Sequence, residues 1–270
     1  MPFTEHNHNG LIYDTADGLS AAGGIRHAFT TRHGGVSPAP FDTLNFADNR
    51  GDTAENLLEN YRRLGLAAGF DGSRVVGCRQ VHGDLVRIAS EEHAGSILWE
   101  DRPYDADALV TNVANLPLVV FGSDCCTILL YDTLARCIGA CHAGWRGTAK
   151  GIALKTAVSM MTFYGATPQT LHAAIGPSIG KCCFLTDDDV KEEFAQLLDP
   201  AIDEQITRAG GKYRIDLKAI NRLWLLRAGL DPKHVEIHPD CTMCHPERYW
   251  SHRLLGERRG GMVGVISLEA

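Results

Sequence analysis

Long apolar runs are missing from this sequence. No stretch approaches the roughly 18–20 residues that a membrane-spanning helix needs, so a helical integral membrane protein is not expected. Positive charge is also in short supply: 26 Lys and Arg stand against 33 Asp and Glu, a formal net charge of −7. With no Lys/Arg tract, a surface that coats nucleic acid is not expected either. Residues 1–10 carry Glu5 and two histidines where a secretory signal would place Lys or Arg and then an apolar stretch. The expected location is therefore cytoplasmic. Neither GxGxxG nor the phosphate-loop pattern occurs, so the two common nucleotide-binding loops are absent. No internal repeat, low-complexity tract or linker interrupts the 270 residues. With 44% hydrophobic and 22% charged residues, the chain can bury a sizeable core, and it reads as one domain.

The chain is rich in sulfur and imidazole, with nine cysteines and twelve histidines. An odd cysteine count in a chain read as cytoplasmic does not suit a disulfide framework. Cys125-Cys126 and Cys182-Cys183 are adjacent pairs, and Cys241-Thr242-Met243-Cys244 is a CxxC. There is no second CxxC to make a zinc ribbon. Pro246 argues against the long helix that a thioredoxin-like motif would open. Cys78, Cys137 and Cys141 lie in apolar segments and read as buried small hydrophobes.

Hydrophobic periodicity predicts a helix over 53–66, capped by Asp52, with Leu57, Tyr61 and Leu64 on its buried stripe. It predicts strands at 75–81, 85–89, 108–111, 118–121, 127–131 and 137–141. A helix over 148–164, a strand at 171–175 and a helix over 187–198 follow. Asp216 caps a further helix that ends at Gly229, and strands at 235–238 and 262–268 complete the pattern. Strands come in blocks rather than alternating with helices, so an α+β domain with mixed sheets is expected over a doubly wound nucleotide fold.

Three segments place chemistry at the ends of core strands: Arg79-Gln80-Val81-His82-Gly83, Gly122-Ser123-Asp124-Cys125-Cys126, and His142-Ala143-Gly144-Trp145-Arg146-Gly147. Two histidines and one cysteine would make a three-ligand metal set with an open fourth position, as in catalytic zinc sites. The spacing of His82, Cys125 and His142 matches no recognised metal motif. The same residues read as a satisfied core histidine, a buried thiol and a helix-capping histidine, or as a Cys–His nucleophile pair. Gly144 and Gly147 precede a predicted helix, where free N–H groups and Arg146 could receive an anion; a tight turn with a solvated Arg146 explains them as well. Tyr249-Trp250-Ser251-His252-Arg253 interleaves aromatic and basic groups that could stack a base. Arg258 and Arg259 read as solvated charges.

These segments, together with Thr30–Ser37, Asp107-Ala108-Leu109-Val110-Thr111, Ile175-Gly176-Pro177-Ser178-Ile179-Gly180 and Ser251-His252-Arg253, occur in an order that resembles the laccase-domain (polyphenol-oxidase-like) family of zinc-dependent purine nucleoside phosphorylases. The resemblance spans about residues 25–268. It implies an N-terminal segment 1–24 and one domain over 25–270, folded as a four-layer α/β/β/α sandwich with mixed sheets. It implies zinc on the positions matching His82, Cys125 and His142, which would be the catalytic centre. It implies phosphorolysis of adenosine, inosine, guanosine and methylthioadenosine, and deamination of adenosine, with links in some bacterial members to editing of peptidoglycan precursors. The partners implied are purine nucleosides and phosphate, with no nucleic acid and no membrane.

The chain departs from the family pattern in several places. It has Asn60-Tyr61 where an Asn-Arg pair is common in the first helix, with Arg62 next. Cys126-Thr127 follows Asp124-Cys125 where Val-Pro is usual, and Phe184-Leu185-Thr186 replaces Tyr-Glu-Val. Phosphorolysis needs an anion site beside a leaving purine. Arg146, with Arg62 or Arg79, is the candidate for the phosphate, and Asn45 for a substrate contact. Asp124 reads as an orienting residue or a turn residue. The rival readings are a copper-dependent polyphenol oxidase, with copper in place of zinc, a cysteine amidohydrolase using Cys125 and His142, and a metal-binding module without turnover. Repeated, closely spaced histidines would support copper oxidase chemistry, and only His6-Asn7-His8 is of that kind.

Overall fold

The computed structural model describes residues 2–98, 100 and 102–270. Strands β1 (Phe3–His8) and β2 (Leu11–Ala16) form a hairpin, followed by helix α1 (Asp17–Ala22) and strand β3 (Ile25–Thr30). Helix α2 (Ala54–Ala68) precedes β4 (Val86–Ile88), β5 (Ala108–Thr111), β6 (Leu118–Gly122), β7 (Cys126–Asp132) and β8 (Cys137–Ala143). Helices α3 (Trp145–Ala149) and α4 (Ile152–Tyr164) lead to β9 (Leu171–Ile175) and β10 (Leu185–Thr186). Then come α5 (Asp188–Ala195), α6 (Pro200–Asp203), β11 (Ile206–Ala209), β12 (Lys212–Ile215) and α7 (Leu217–Arg227). β13 (Val235–Ile237), α8 (His252–Leu255) and β14 (Met262–Leu268) complete the order.

Two large sheets face each other. One runs β1-β2-β3-β14-β6 and is antiparallel throughout. The other runs β13-β9-β7-β8-β5-β4, antiparallel in its centre and parallel at both outer pairs. A small antiparallel sheet, β10-β12-β11, stands apart from them.

Strand alternation assigns every face. Leu129 and Tyr131 of β7 and Ile138 and Ala140 of β8 meet Phe29, Leu118, Val120 and Ile266 of the facing sheet. Ile128, Leu130, Cys137 and Cys141 point the other way, onto α4 and α7 through Ile152, Ala153, Met160, Ile220 and Leu225. The outer face of the first sheet, with Ala28, Val119, Val263 and Val265, is covered by Tyr61 and Leu64 of α2. The result is an α/β/β/α sandwich of the α+β class, in which each fully buried aliphatic side chain stabilises by about 1.5–3 kcal/mol. Strands β7 and β8 are buried along their whole length because both faces are covered. Among the described residues no helix is long and apolar enough to cross a membrane.

Most predicted elements appear within a residue or two of their expected bounds. Thr53, not Asp52, caps α2: its side chain accepts from the Asn56 N–H. Asp52 receives the Thr53 N–H and the Asn45 and Asn56 side-chain amides. The strand expected at 75–81 is reduced to two isolated bridges, Val76 with Leu118 and Arg79 with Asp105. The helix expected over 148–164 is two helices. Gly151 sits in the left-handed region at φ +72°, and the Thr148 carbonyl accepts the Trp224 indole N–H at 2.7 Å. The first turn of that pattern is thereby separated from α4.

Candidate metal centre

The ladder brings three strand ends to one place. Cys126 pairs with Ala143, Thr127 with His142, and Ala108 with Cys141. The residue before β5, the residue before β7 and the last two residues of β8 therefore share one end of the central sheet. Asp107, Cys125 and His142 occupy those positions, and the His142 N–H donates to the Asp107 carbonyl at 2.7 Å. His82 arrives from the loop before β4, which runs parallel to β5.

One carboxylate organises the group. The Asp107 side chain, fully buried, accepts the backbone N–H groups of Val81 (3.3 Å), His82 (3.0 Å) and Gly83 (2.6 Å). It also accepts His142 Nδ1 at 2.8 Å. That bond keeps a proton on Nδ1, so a metal that displaces the Nε2 proton takes up the Nε2 lone pair. His82 is held at φ +56° and Asp124 at φ +87°, left-handed conformations that cost on the order of 1–2 kcal/mol each. The hydrogen bonds to Asp107 offset the first. The second is offset by Asp124 itself, which accepts Thr242 Oγ1 (2.6 Å), Ser251 Oγ (3.1 Å) and the Arg253 N–H (2.6 Å). Asp124 is thus both a turn residue and the anchor of the Cys125 loop.

The outcome is a compact donor set. One ring nitrogen each of His82 and His142 and Sγ of Cys125 lie within 4.8 Å of one another, and the two imidazoles stand edge to face, 4.8 Å between centroids. A tetrahedral zinc with bonds of about 2.0–2.3 Å fits such a triangle. A side chain on Gly144 would not: its Cβ would stand 2.8 Å from His82 Nδ1 and 3.2 Å from Cys125 Sγ. Burial opposes charge on Cys125 and His142, yet their mutual attraction prevails. His142 and His82 bring the Cys125 thiol down to about 6, and the thiolate and Asp107 hold His142 up at about 9. A thiolate ready to bind a cation is therefore present near neutral pH. His142 is buried, Cys125 half-buried and His82 exposed, so the set opens toward solvent. Three ligands and an open side characterise catalytic rather than structural metal sites.

Two cavities share His82, Ser123 and Cys125. One, of about 140 Å³, is also lined by Arg50, Arg102, His142 and Arg259. Arg102 is paired with Asp48 at 2.7 Å, and Arg50 with Glu257. Among the described residues no carboxylate lies within ion-pair distance of Arg259. Burial and the neighbouring Arg50 press its guanidinium down to about 10, against the pull of Asp124 and Cys125, and it donates to the Gly260 carbonyl and to His252 Nδ1. The second cavity, of about 380 Å³, is lined by Trp145, Arg146, Ile179, Phe184, Leu217 and Arg253 besides the shared residues.

The remaining sequence-predicted residues divide. Arg146 stands at the second cavity with its guanidinium 4.1 Å from the Trp145 ring centroid. Arg62 is exposed on α2, held by Glu59 at 2.6 and 2.8 Å, and lines neither cavity. Arg79 also lies outside both, bound to Asp105 (2.7 Å) and the Arg102 carbonyl (2.8 Å). Asn45 is buried and braces the wall instead of lining it: its Oδ1 receives the N–H groups of Ala47 and Gly261, both at 2.8 Å. Sequence reasoning missed Arg50, and Arg259 is not the solvated charge expected. Asp107 was visible only as part of a motif.

Comparison with known proteins agrees with this architecture. The family described as multi-copper polyphenol oxidoreductase laccase matches residues 26–269. A protein of Geobacillus stearothermophilus named purine nucleoside phosphorylase YlmD is 35% identical over 240 residues, 88% of each chain. One from Deinococcus radiodurans, named purine nucleoside phosphorylase, is 36% identical over 245 residues, 90% of this chain and 89% of its own. The crystal structure of the Geobacillus YlmD superposes with a TM-score of 0.92 at 31% identity, covering 100% of this chain and 99% of that one. That of Bacillus licheniformis hypothetical protein YfiH gives 0.91 at 29%, covering 99% of both.

Proposed function

The chain belongs to the multi-copper polyphenol oxidoreductase laccase family, and from that premise we propose that it is a zinc-dependent purine nucleoside phosphorylase that also deaminates adenosine. The observation that carries the proposal is the convergence of His82, Cys125 and His142 at a cavity that Arg259 also lines. Relatives at 35–36% identity bear the phosphorylase name. The substrates proposed are adenosine, inosine, guanosine and methylthioadenosine with phosphate, and the products are the free base and a pentose 1-phosphate.

In phosphorolysis a phosphate oxygen bonds to the anomeric carbon while the bond to the purine nitrogen breaks, and the base leaves with that electron pair. Arg259 and Arg50 would hold the phosphate in the cationic cavity, where exclusion of water strengthens each contact. Trp145 and Phe184 offer faces for the purine in the second cavity. Asp107 keeps a proton on His142 Nδ1 and so keeps Nε2 directed at the centre. Zinc, held by His82, Cys125 and His142, would supply Lewis acidity where the two cavities meet. Two imidazoles and a thiolate suit zinc and also copper. Among the described residues the only groups able to hold a metal are this one and a four-cysteine group, which gives no cluster of histidines for a multi-copper centre.

A second reading has its own observation. Cys125, His142 and Asp107 form the order of a nucleophile, a base and an orienting carboxylate. This would suit a cysteine amidohydrolase acting on a peptidoglycan precursor. The discriminating experiment is a nucleoside panel with and without phosphate on zinc-loaded protein. Phosphate-dependent release of free base supports the phosphorylase. A trapped acyl-enzyme on Cys125 with no base release would replace it by the hydrolase.

A further inference from the structure

We propose a second metal site, a closed tetrathiolate zinc site formed by Cys182, Cys183, Cys241 and Cys244, which clips together two loops, one of which carries Ile179 and Phe184 of the second cavity's wall. The four Sγ atoms lie within 4.8 Å of one another. They come from two neighbouring loops. β9 and β13 are parallel partners, so the segments that follow them leave the same end of the sheet, and an isolated bridge joins Ser178 to Cys241.

The separations select a single ion. Cys183 Sγ and Cys244 Sγ are 3.4 Å apart, and Cys182 Sγ and Cys244 Sγ 3.6 Å. A disulfide requires about 2.05 Å. A zinc ion with four bonds of about 2.3 Å at tetrahedral angles sets its sulfurs roughly 3.8 Å apart. The local backbone is built for the group. The Gly180 N–H donates to Cys241 Sγ at 3.1 Å, and a Cβ on Gly180 would stand 3.2 Å from both Cys182 Sγ and Cys241 Cβ. Cys182 and Cys244 are exposed, so an ion can enter. Four protein ligands and no open position belong to structural zinc sites.

The placement gives the site its consequence. Thr242, inside the CxxC, donates to the Asp124 carboxylate, and the Asp124 carbonyl accepts the Ile179 N–H at 2.9 Å. Asp124 precedes the metal-binding Cys125, and Ile179 and Phe184 line the second cavity. An ion joining the two loops would therefore fix both from behind while contacting no substrate.

The test is zinc stoichiometry by elemental analysis of protein purified under reducing conditions. The expected result is about two equivalents per chain in the wild type and about one in Cys183→Ser and in Cys244→Ser, with His82→Ala losing the other. The His82→Ala arm separates failure here from failure of the phosphorylase reading. Cobalt substitution of the wild-type protein is the second measurement, needed should the serine variants fold poorly. It should show the intense thiolate-to-cobalt absorption of a four-sulfur site on top of the weaker signal of a one-sulfur centre. A wild type with one equivalent that Cys244→Ser leaves unchanged would overturn the proposal, as would a disulfide among these four cysteines in the freshly isolated protein.

Discussion

Asp107→Asn should loosen zinc at the His82–Cys125–His142 centre while leaving the fold intact. The substitution keeps size and shape but exchanges one acceptor oxygen for an NH2. Oδ1 now serves the His82 N–H and His142 Nδ1, and Oδ2 serves the Val81 and Gly83 N–H groups. If the NH2 takes the second position, it faces two backbone donors at once. If it takes the first, it faces the His82 N–H and drives the His142 proton from Nδ1 to Nε2, which removes the lone pair meant for the metal. Neither orientation satisfies all four partners. Loss of such an orienting carboxylate weakens metal binding by about 10–100-fold, equivalent to about 1.4–2.8 kcal/mol. The assay is a chelator competition at fixed pH, with Asp105→Asn as control, since Asp105 is exposed and its ion pair is with Arg79. An Asp107→Asn zinc affinity within twofold of the wild type would refute the assignment of Asp107 as the organising group.

Three further outcomes are expected. Gly144→Ala should abolish metal binding at the centre while melting like the wild type within a few degrees, because its Cβ meets His82 and Cys125 rather than the core; metal retention in a folded variant would contradict this. Arg259→Ala should raise the KM for phosphate by about 10–100-fold, the range for one charge-assisted contact of about 1.5–3 kcal/mol, and leave the KM for the nucleoside much less affected. His27 sets an acid limit. Burial lowers its imidazole to about 4 from 6.5, so the unfolded chain takes up a proton at a pH where the folded one does not. Its stabilising contribution is complete above about 6.5 and declines by roughly 3 kcal/mol as pH falls to about 4. Chemical denaturation across that window should show the decline in the wild type and a smaller one in His27→Gln.

The layer order came from the family resemblance and not from alternation, because β7, β8 and β14 are buried along their whole length; the strands themselves were readable as compact apolar runs, and the Asp216 cap of α7 is local. The hairpin β1–β2 escaped notice because its partner strand, β3, lies across a turn and a helix, and its own faces are mixed: β1 is largely exposed. The break before α4 was hidden as well. It depends on Gly151 and on Trp224, which is remote in sequence. At the site, His82, Cys125 and His142 could be named from motifs at strand ends, since strand register alone brings them together. The arginines that line the first cavity could not. Arg62 and Arg79 were plausible by chemistry, but they line neither of the two cavities, whereas Arg259 looks like a solvated charge until β14 draws its loop over the first. The CxxC at Cys241 lacked a partner in sequence because its partners, Cys182 and Cys183, are adjacent residues on a different loop and follow no metal-binding spacing.

The most direct measurement is zinc content and phosphate-dependent release of adenine from adenosine, made together on wild-type protein and on His82→Ala. His82 is a ligand in the proposed centre but no part of the Cys125–His142–Asp107 chain. The account predicts that this variant loses one zinc equivalent and its adenine release in parallel, while Cys125 stays reactive to a thiol reagent. Full zinc occupancy with undiminished adenine release in His82→Ala would contradict it.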